Sequence, residues 1–256
     1  MEMKILVAAH KPYPMPQQAV YCPIWVGAAN RGPAPDGWLR DDGGEHISQK
    51  NDTFCELTAL YWAWKNLDAE YLGLCHYRRY FAQSKTGEKF ARIAAETTLR
   101  QKLSEAPVLL PKKRNYYIET NYTQYVHAHH AQDLDETRSI LAEKFPDYLP
   151  AYDASMKRTD GHRFNMMVMR RDMLNSYCEW LFAVLFELEN RLDISDYSTH
   201  DRRVFGFVSE RLLDVWLETN GVNYTELPVV NLESQHWPKK ILNFLKRKFI
   251  GKAAQA

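Results

Sequence analysis

No run in this chain approaches the ~18 consecutive apolar residues that a membrane-spanning helix needs, so no crossing of a bilayer is expected. An excess of charge of one sign is also missing. Thirty-three Lys and Arg against 32 Asp and Glu leave a formal charge of +1. That excludes the whole-chain positive field of a dedicated nucleic-acid binder, and no nucleic-acid partner is expected. Cysteine is sparse and unpatterned: Cys22, Cys55, Cys75 and Cys178 form no C-x-x-C pair and sit among apolar or aromatic neighbours, which argues against a disulfide framework or a zinc knuckle. The first residues carry one Lys and too short an apolar run for a secretory signal, so a cytoplasmic location is expected. P-loop, G-x-G-x-x-G and Ser-His-Asp or Cys-His nucleophile signatures are absent, as are internal repeats and linkers.

What is abundant is aromatic. Trp, Tyr and Phe make 13% of the chain, a supply of flat faces for core packing and for stacking on sugars or bases. Apolar runs at 3–9, 71–76, 106–110, 164–169 and 223–230 read as strands, the first two buried on both faces. Helical spacing predicts helices over 51–66, 88–103, 121–144 with a polar break near Gln132-Asp133, 172–191 and 201–220. Between the first strand and the first helix lies a long Pro- and Gly-rich loop region, 11–50, with at most a short strand near 21–26. Strand, loop, helix, strand is the opening of an α/β fold with a mixed, mostly parallel sheet flanked by helices. One domain over 1–237 is the economical organisation, with 238–256 as a separate tail.

In open α/β sheets ligands bind beyond the carboxyl ends of the strands, which selects His10, Lys11 and Tyr13 after the first run and His76, Tyr77, Arg78 and Arg79 after the second. Two adjacent arginines flanked by tyrosines suit a diphosphate, because guanidinium forks hold phosphate oxygens bidentately. The plain alternative is a solvated strand end with inert ion pairs. His127, His129 and His130 with Asp133 and Asp135 form the densest group of metal-ligand types, and Asp133-Leu134-Asp135 is a D-x-D triplet. Their spacing is poor for a helical metal site, and only His130 and Asp133 could share a face. Asn165 within an apolar run needs partners and bonds either a substrate hydroxyl or a backbone gap. Glu210 and Arg211 interrupt an apolar helix, as an interior carboxylate with its counter-ion or as an exposed pair. Glu56, inside the helix preceding this strand, is the acidic neighbour expected for the basic strand end, though spacing alone does not put it on the pocket side.

Six blocks carry a resemblance: K-I-L-V-A-A-H-K at 4–11, N-x-x-F-C-E-L-T-A-L-Y-W-A-W-K-N at 51–66, Y-L-G-L-C-H-Y-R-R-Y-F at 71–81, F-N-M-M-V-M at 164–169, Y-C-E-W-L-F at 177–182 and F-G-F-V-S-E-R-L-L at 205–213. Together they resemble a bacterial family of capsular and exopolysaccharide biosynthesis glycosyltransferases whose biochemistry is thinly established. The resemblance implies a GT-A-like single domain with a Rossmann-like nucleotide-binding half, acting on a nucleotide sugar. One departure matters: transferases of this fold commonly carry D-x-D where this chain has His76-Tyr77-Arg78. Either the diphosphate is neutralised by Arg78 and Arg79 without metal, or a divalent metal, manganese or magnesium, is held elsewhere, for example by Asp133 and His130.

The function expected from these residues is transfer of a hexose, galactose in pyranose or furanose form, from a UDP-sugar donor to a lipid-linked saccharide acceptor in capsular, exopolysaccharide or O-antigen synthesis. Glu210 or Asp133 would act as base on the acceptor hydroxyl. Donor contacts fall to His10, Lys11, Tyr13, His76, Tyr77, Arg78 and Arg79, and further substrate contacts to His130, Asn165 and Arg211. The rival readings are a metal-dependent hydrolase built on His127, His129, His130 and Asp133, and a non-catalytic saccharide-binding module. In the tail, six basic residues from Lys239 to Lys252 alternate with Ile241, Leu242, Leu245 and Phe249, a short basic amphipathic helix suited to an anionic membrane surface. Peripheral residence on the inner face of the cell membrane would follow.

Overall fold

A computed structural model describes residues 2–233. The tail at 238–256, and with it the boundary at 237, lies outside the described residues. Strands β1 (Met3–Ala9), β2 (Tyr21–Trp25), β3 (Leu39–Arg40), β4 (Tyr71–His76), β5 (Arg79–Phe81) and β6 (Val108–Pro111) come before a small separate pair, β7 (Arg114–Asn115) and β8 (Asp160–Gly161). They are followed by β9 (Met167–Arg170), β10 (Tyr224–Leu227) and β11 (Val229–Asn231). The main sheet runs β10-β6-β9-β4-β1-β2-β3. All neighbours on that path are parallel except β9, which lies antiparallel between β4 and β6. The sheet is therefore mixed and mostly parallel, as expected.

Period two in β1 builds the two faces. Leu6 and Ala8 enter one core with α1 (Asn51–Phe54), α2 (Leu57–Asn66), α7 (Arg171–Arg191) and α8 (Val204–Thr219). Met3, Ile5, Val7 and Ala9 enter the other, under α3 (Glu96–Glu105) and β5. With both faces covered, the strand reads as a continuous apolar run. At Gly73 in β4 an added Cβ would stand 2.8 Å from the Met167 carbonyl oxygen, so the close approach of β9 requires glycine there.

Several expectations are corrected. The helix over 51–66 is broken at Cys55, whose φ of 54° ends α1 and restarts the chain as α2. The helix expected from 88 begins at Glu96, after irregular chain and an isolated bridge between Ala82 and Ile93. The break in 121–144 falls at His127 to His130, between α4 (Asn121–Val126) and α5 (Ala131–Lys144), rather than at Gln132-Asp133. A further helix, α6 (Leu149–Lys157), follows it. Pro228, which lacks an N–H for the ladder, separates β10 from β11, and β11 turns away to pair with β5. Among the described residues no helix is long and apolar enough to cross a membrane.

Candidate functional site

The carboxyl ends of β1 and β4 lie side by side, Ala8 paired with His76, so the segments leaving them meet at once. Tyr77 is their hub. His10 meets its ring edge-on at 5.4 Å and Tyr13 at 4.9 Å, while the Lys11 ammonium stands 5.7 Å and the Arg78 guanidinium 4.9 Å from the ring centroid. The His10 imidazole is held below its ordinary pKa, by burial first and then by Arg31, Arg78, Lys11 and Arg203. Four positive charges therefore bear on one imidazole. Arg31 and Arg203 come from distant parts of the chain. Arg31 donates to Asn51 Oδ1 at 3.3 Å, and Arg203 donates to Cys55 Sγ at 3.2 Å. Beneath them Asp41, fully buried, accepts from the Gly27 and Ala28 amides, both at 2.9 Å, and from the Thr58 hydroxyl at 2.6 Å. It fastens the long loop to α2 and so places Arg31.

A second group lies deeper. Cys55 leaves the helix in the left-handed region, and the next residue, Glu56, receives the Asn165 amide at 2.7 Å while His76 Nε2 stands 3.7 Å away. Phe164 and Asn165 are both left-handed as well, with φ of 77° and 50°. Consecutive left-handed residues without glycine are a strained arrangement that surrounding contacts must hold. Those contacts are visible: His76 Nε2 bonds the Phe164 carbonyl at 2.6 Å, Asn165 Nδ2 donates to the Gly206 carbonyl at 3.1 Å, and Ser209 Oγ donates to Asn165 Oδ1 at 2.8 Å. Arg79 lies over the Phe164 ring at 4.7 Å. Burial, then Arg78, lowers its pKa, and the charges of Glu210 and Glu56 oppose that shift. Glu210 Oε2 accepts from Arg211 at 3.1 Å.

The expected residues thus divide. His10, Lys11, Tyr13, His76, Tyr77, Arg78, Arg79, Asn165 and Glu210 gather at the strand ends. Asn165 stands in a turn before β9, outside the strand expected for it, and its amide is satisfied by Glu56 and the backbone. Arg211 is nearly buried under Glu210, its guanidinium over the Tyr125 ring at 5.2 Å and donating to Gln124 at 2.6 Å, so it braces the carboxylate from below. Asp133 is elsewhere. It is 1% exposed and accepts the hydroxyls of Tyr125 and Tyr197, each at 2.7 Å, a buried tie between α4, α5 and the segment before α8. His130 stacks on Tyr197 at 4.0 Å with Nε2 toward Asp201, and His127 bonds Glu119 at 2.7 Å. His129 and His130 turn to Asp201, His127 to Glu119 and Asp133 to two tyrosines, so the expected hydrolase centre of His127, His129, His130 and Asp133 is not formed.

Residues 76–79 contain no acid themselves, but Glu56 stands 3.7 Å from His76 and Glu233 3.0 Å from Arg78, while Lys11 and Arg78 lie over the Tyr77 ring. The strand end thus sets cations suited to a polyanion beside flanking carboxylates.

The family described as a domain of unknown function, DUF4422, matches residues 4–221. This chain belongs to that family. No curated protein matches it. Among solved structures it is similar to the apo structure of the bifunctional glycosyltransferase WbbM, with a TM-score of 0.82 and 29% identity over 91% of this chain and 46% of that one. This DUF4422 chain spans less than half the length of WbbM. Its α/β fold is GT-A-like, as the six sequence blocks implied.

Proposed function

We propose that this chain transfers a hexosyl group, galactose in pyranose or furanose form, from a UDP-sugar to a lipid-linked saccharide in capsular, exopolysaccharide or O-antigen synthesis. The observation that carries this reading is the convergence of Lys11 and Arg78 on the Tyr77 ring at the ends of β1 and β4, with the charges of Arg31 and Arg203 also bearing on His10. Family membership and the likeness to a bifunctional glycosyltransferase support it.

A leaving diphosphate needs its charge matched as the glycosidic bond breaks, and preorganised cations do this without reorganising at the moment of reaction. Lys11 is exposed and the Arg78 side chain partly so, where they can close on phosphate oxygens, and half-buried Tyr13, packed on buried Tyr77, offers a face to the base or sugar. Glu210 takes the acceptor proton: Arg211 anchors one of its oxygens, its side chain is 21% exposed, and its charge bears on Arg79. Glu56, pinned by Asn165 and beside His76, is more enclosed and orients the donor side.

Calorimetric titration of the purified chain with UDP tests the reading. Binding of UDP in preference to uridine is expected. No binding at millimolar UDP, with or without manganese, would overturn it. Release of UDP from a UDP-hexose in the presence of a lipid-linked saccharide then tests the transfer.

A further inference from the structure

The break between α4 and α5 brings a histidine against the segment that opens α8. His129 Nδ1 lies 3.2 Å and His200 Nδ1 3.4 Å from the same oxygen, Asp201 Oδ1. One ligand atom from each of these three residues can be chosen so that all lie within 4.8 Å of one another. Hydrogen bonds from imidazole to a carboxylate close to about 2.7–2.9 Å. The separations here are longer. They match the edge of a tetrahedron whose centre bonds nitrogen and oxygen at about 2.0–2.1 Å, an edge of about 3.3–3.4 Å.

The surroundings are those of an oriented ligand set. Ser198 Oγ donates to the other carboxylate oxygen of Asp201 at 2.7 Å and fixes its rotation. His129 packs against the Tyr125 ring at 4.9 Å and the Phe207 ring at 4.3 Å, which hold its imidazole in place. His130 Nε2 stands 3.8 Å from Asp201 Oδ2, where it steadies the carboxylate from its far side.

We propose that His129, His200 and Asp201 form a site for a divalent transition metal of the zinc class, with a fourth position open to water. Two imidazoles and one carboxylate favour such a cation over calcium or magnesium. Bound there, it would tie the turn before α5 to the turn before α8. Phe207, stacked on His129, also carries Arg203 over its ring at 5.1 Å, and Arg203 reaches Cys55 beside Glu56. The ion would thereby stiffen the wall that presents Arg203. This site is separate from the donor site, and its test does not depend on the transfer reaction.

The full chain, stripped with chelator and desalted, is titrated with cobalt(II) and read by its visible d–d absorption, then displaced with zinc. One equivalent should bind with the intense spectrum of a four-coordinate site, and zinc should raise the melting temperature. His200→Ala changes an exposed side chain and should leave the metal-free protein equally stable while weakening cobalt binding by about tenfold or more. Asp201→Asn should weaken it similarly, and His127→Ala, whose imidazole belongs to Glu119, should not. Absence of binding at sub-millimolar cobalt or zinc would overturn the proposal. So would undiminished binding, or equal zinc stabilisation, in His200→Ala.

Discussion

Replacing Arg78 by Ala separates a diphosphate ligand from a surface ion pair. In this structure Arg78 Nη1 meets Glu233 at 3.0 Å, with 38% and 46% of the two side chains exposed. A pair so open to solvent contributes about 0.2–1 kcal/mol, so the substitution should shift the melting temperature by no more than about 4 °C. A charge-assisted contact to a phosphate oxygen is worth about 1.5–3 kcal/mol, from which the competing Glu233 contact must be subtracted. The net is about 0.5–2.8 kcal/mol, or about 2- to 100-fold in Kd for UDP. Removing the competitor acts the other way: Glu233→Gln should leave affinity equal or tighten it by up to about fivefold. Calorimetry at low salt reads all three proteins, and uridine serves as the ligand without a diphosphate. If Arg78→Ala binds UDP as the parent does, or loses as much affinity for uridine as for UDP, the guanidinium does not hold a diphosphate.

Three further outcomes are expected. His10 sits below its ordinary pKa because of burial and four cations, so a dianion placed among them must raise it; UDP binding just below the usual imidazole value should take up protons, read as a binding enthalpy that depends on buffer ionisation heat, and a buffer-independent enthalpy would show the diphosphate lies elsewhere. Asp133→Ala leaves the Tyr125 and Tyr197 hydroxyls without their acceptor, which should cost about 2–4 kcal/mol of stability in denaturant titration and leave UDP affinity unchanged; retained stability with lost transfer would restore the residue as a base. Gly73→Ala should destabilise by about 1–3 kcal/mol or more, since the new methyl meets the Met167 carbonyl at 2.8 Å between two central strands, and an unchanged unfolding midpoint would refute that packing.

Strands buried on both faces were the legible part of the fold. Tyr71–His76 and Met3–Ala9 appear in the sequence as uninterrupted apolar runs because no position along them faces water. The direction of β9 was not legible. Its residues look the same whether the strand runs with or against β4, and only the length and path of the chain between 111 and 167 reverse it. The 88–95 segment misled for a different reason: its residues are good helix formers, but Gln83 and Ile93 commit the backbone to contacts across the loop, where Gln83 accepts from the Ala95 amide at 2.9 Å and its own amide meets the Arg92 carbonyl at 2.9 Å.

At the site, the basic strand end could be found because one rule, that ligands gather where parallel strands end, needs no side-chain detail. Its acidic half, Glu56 and Glu210, could be named but Glu56 could not be placed, because its position depends on backbone conformation that composition hides. Helical spacing runs straight through Cys55, yet the left-handed turn there redirects Glu56 toward β9, and the turn at Phe164 and Asn165 brings the amide that receives it. Glycine at these positions would have announced a turn; Cys, Phe and Asn did not. The histidines show the converse. Three of them crowd within four residues, but the partner that organises two of them, Asp201, is supplied from across the fold by the segment opening α8. Asp133, the acid nearest in sequence, is consumed by two tyrosines. Sequence proximity therefore proposes ligand types, while the tertiary pairing of α5 with the start of α8 decides which carboxylate they meet.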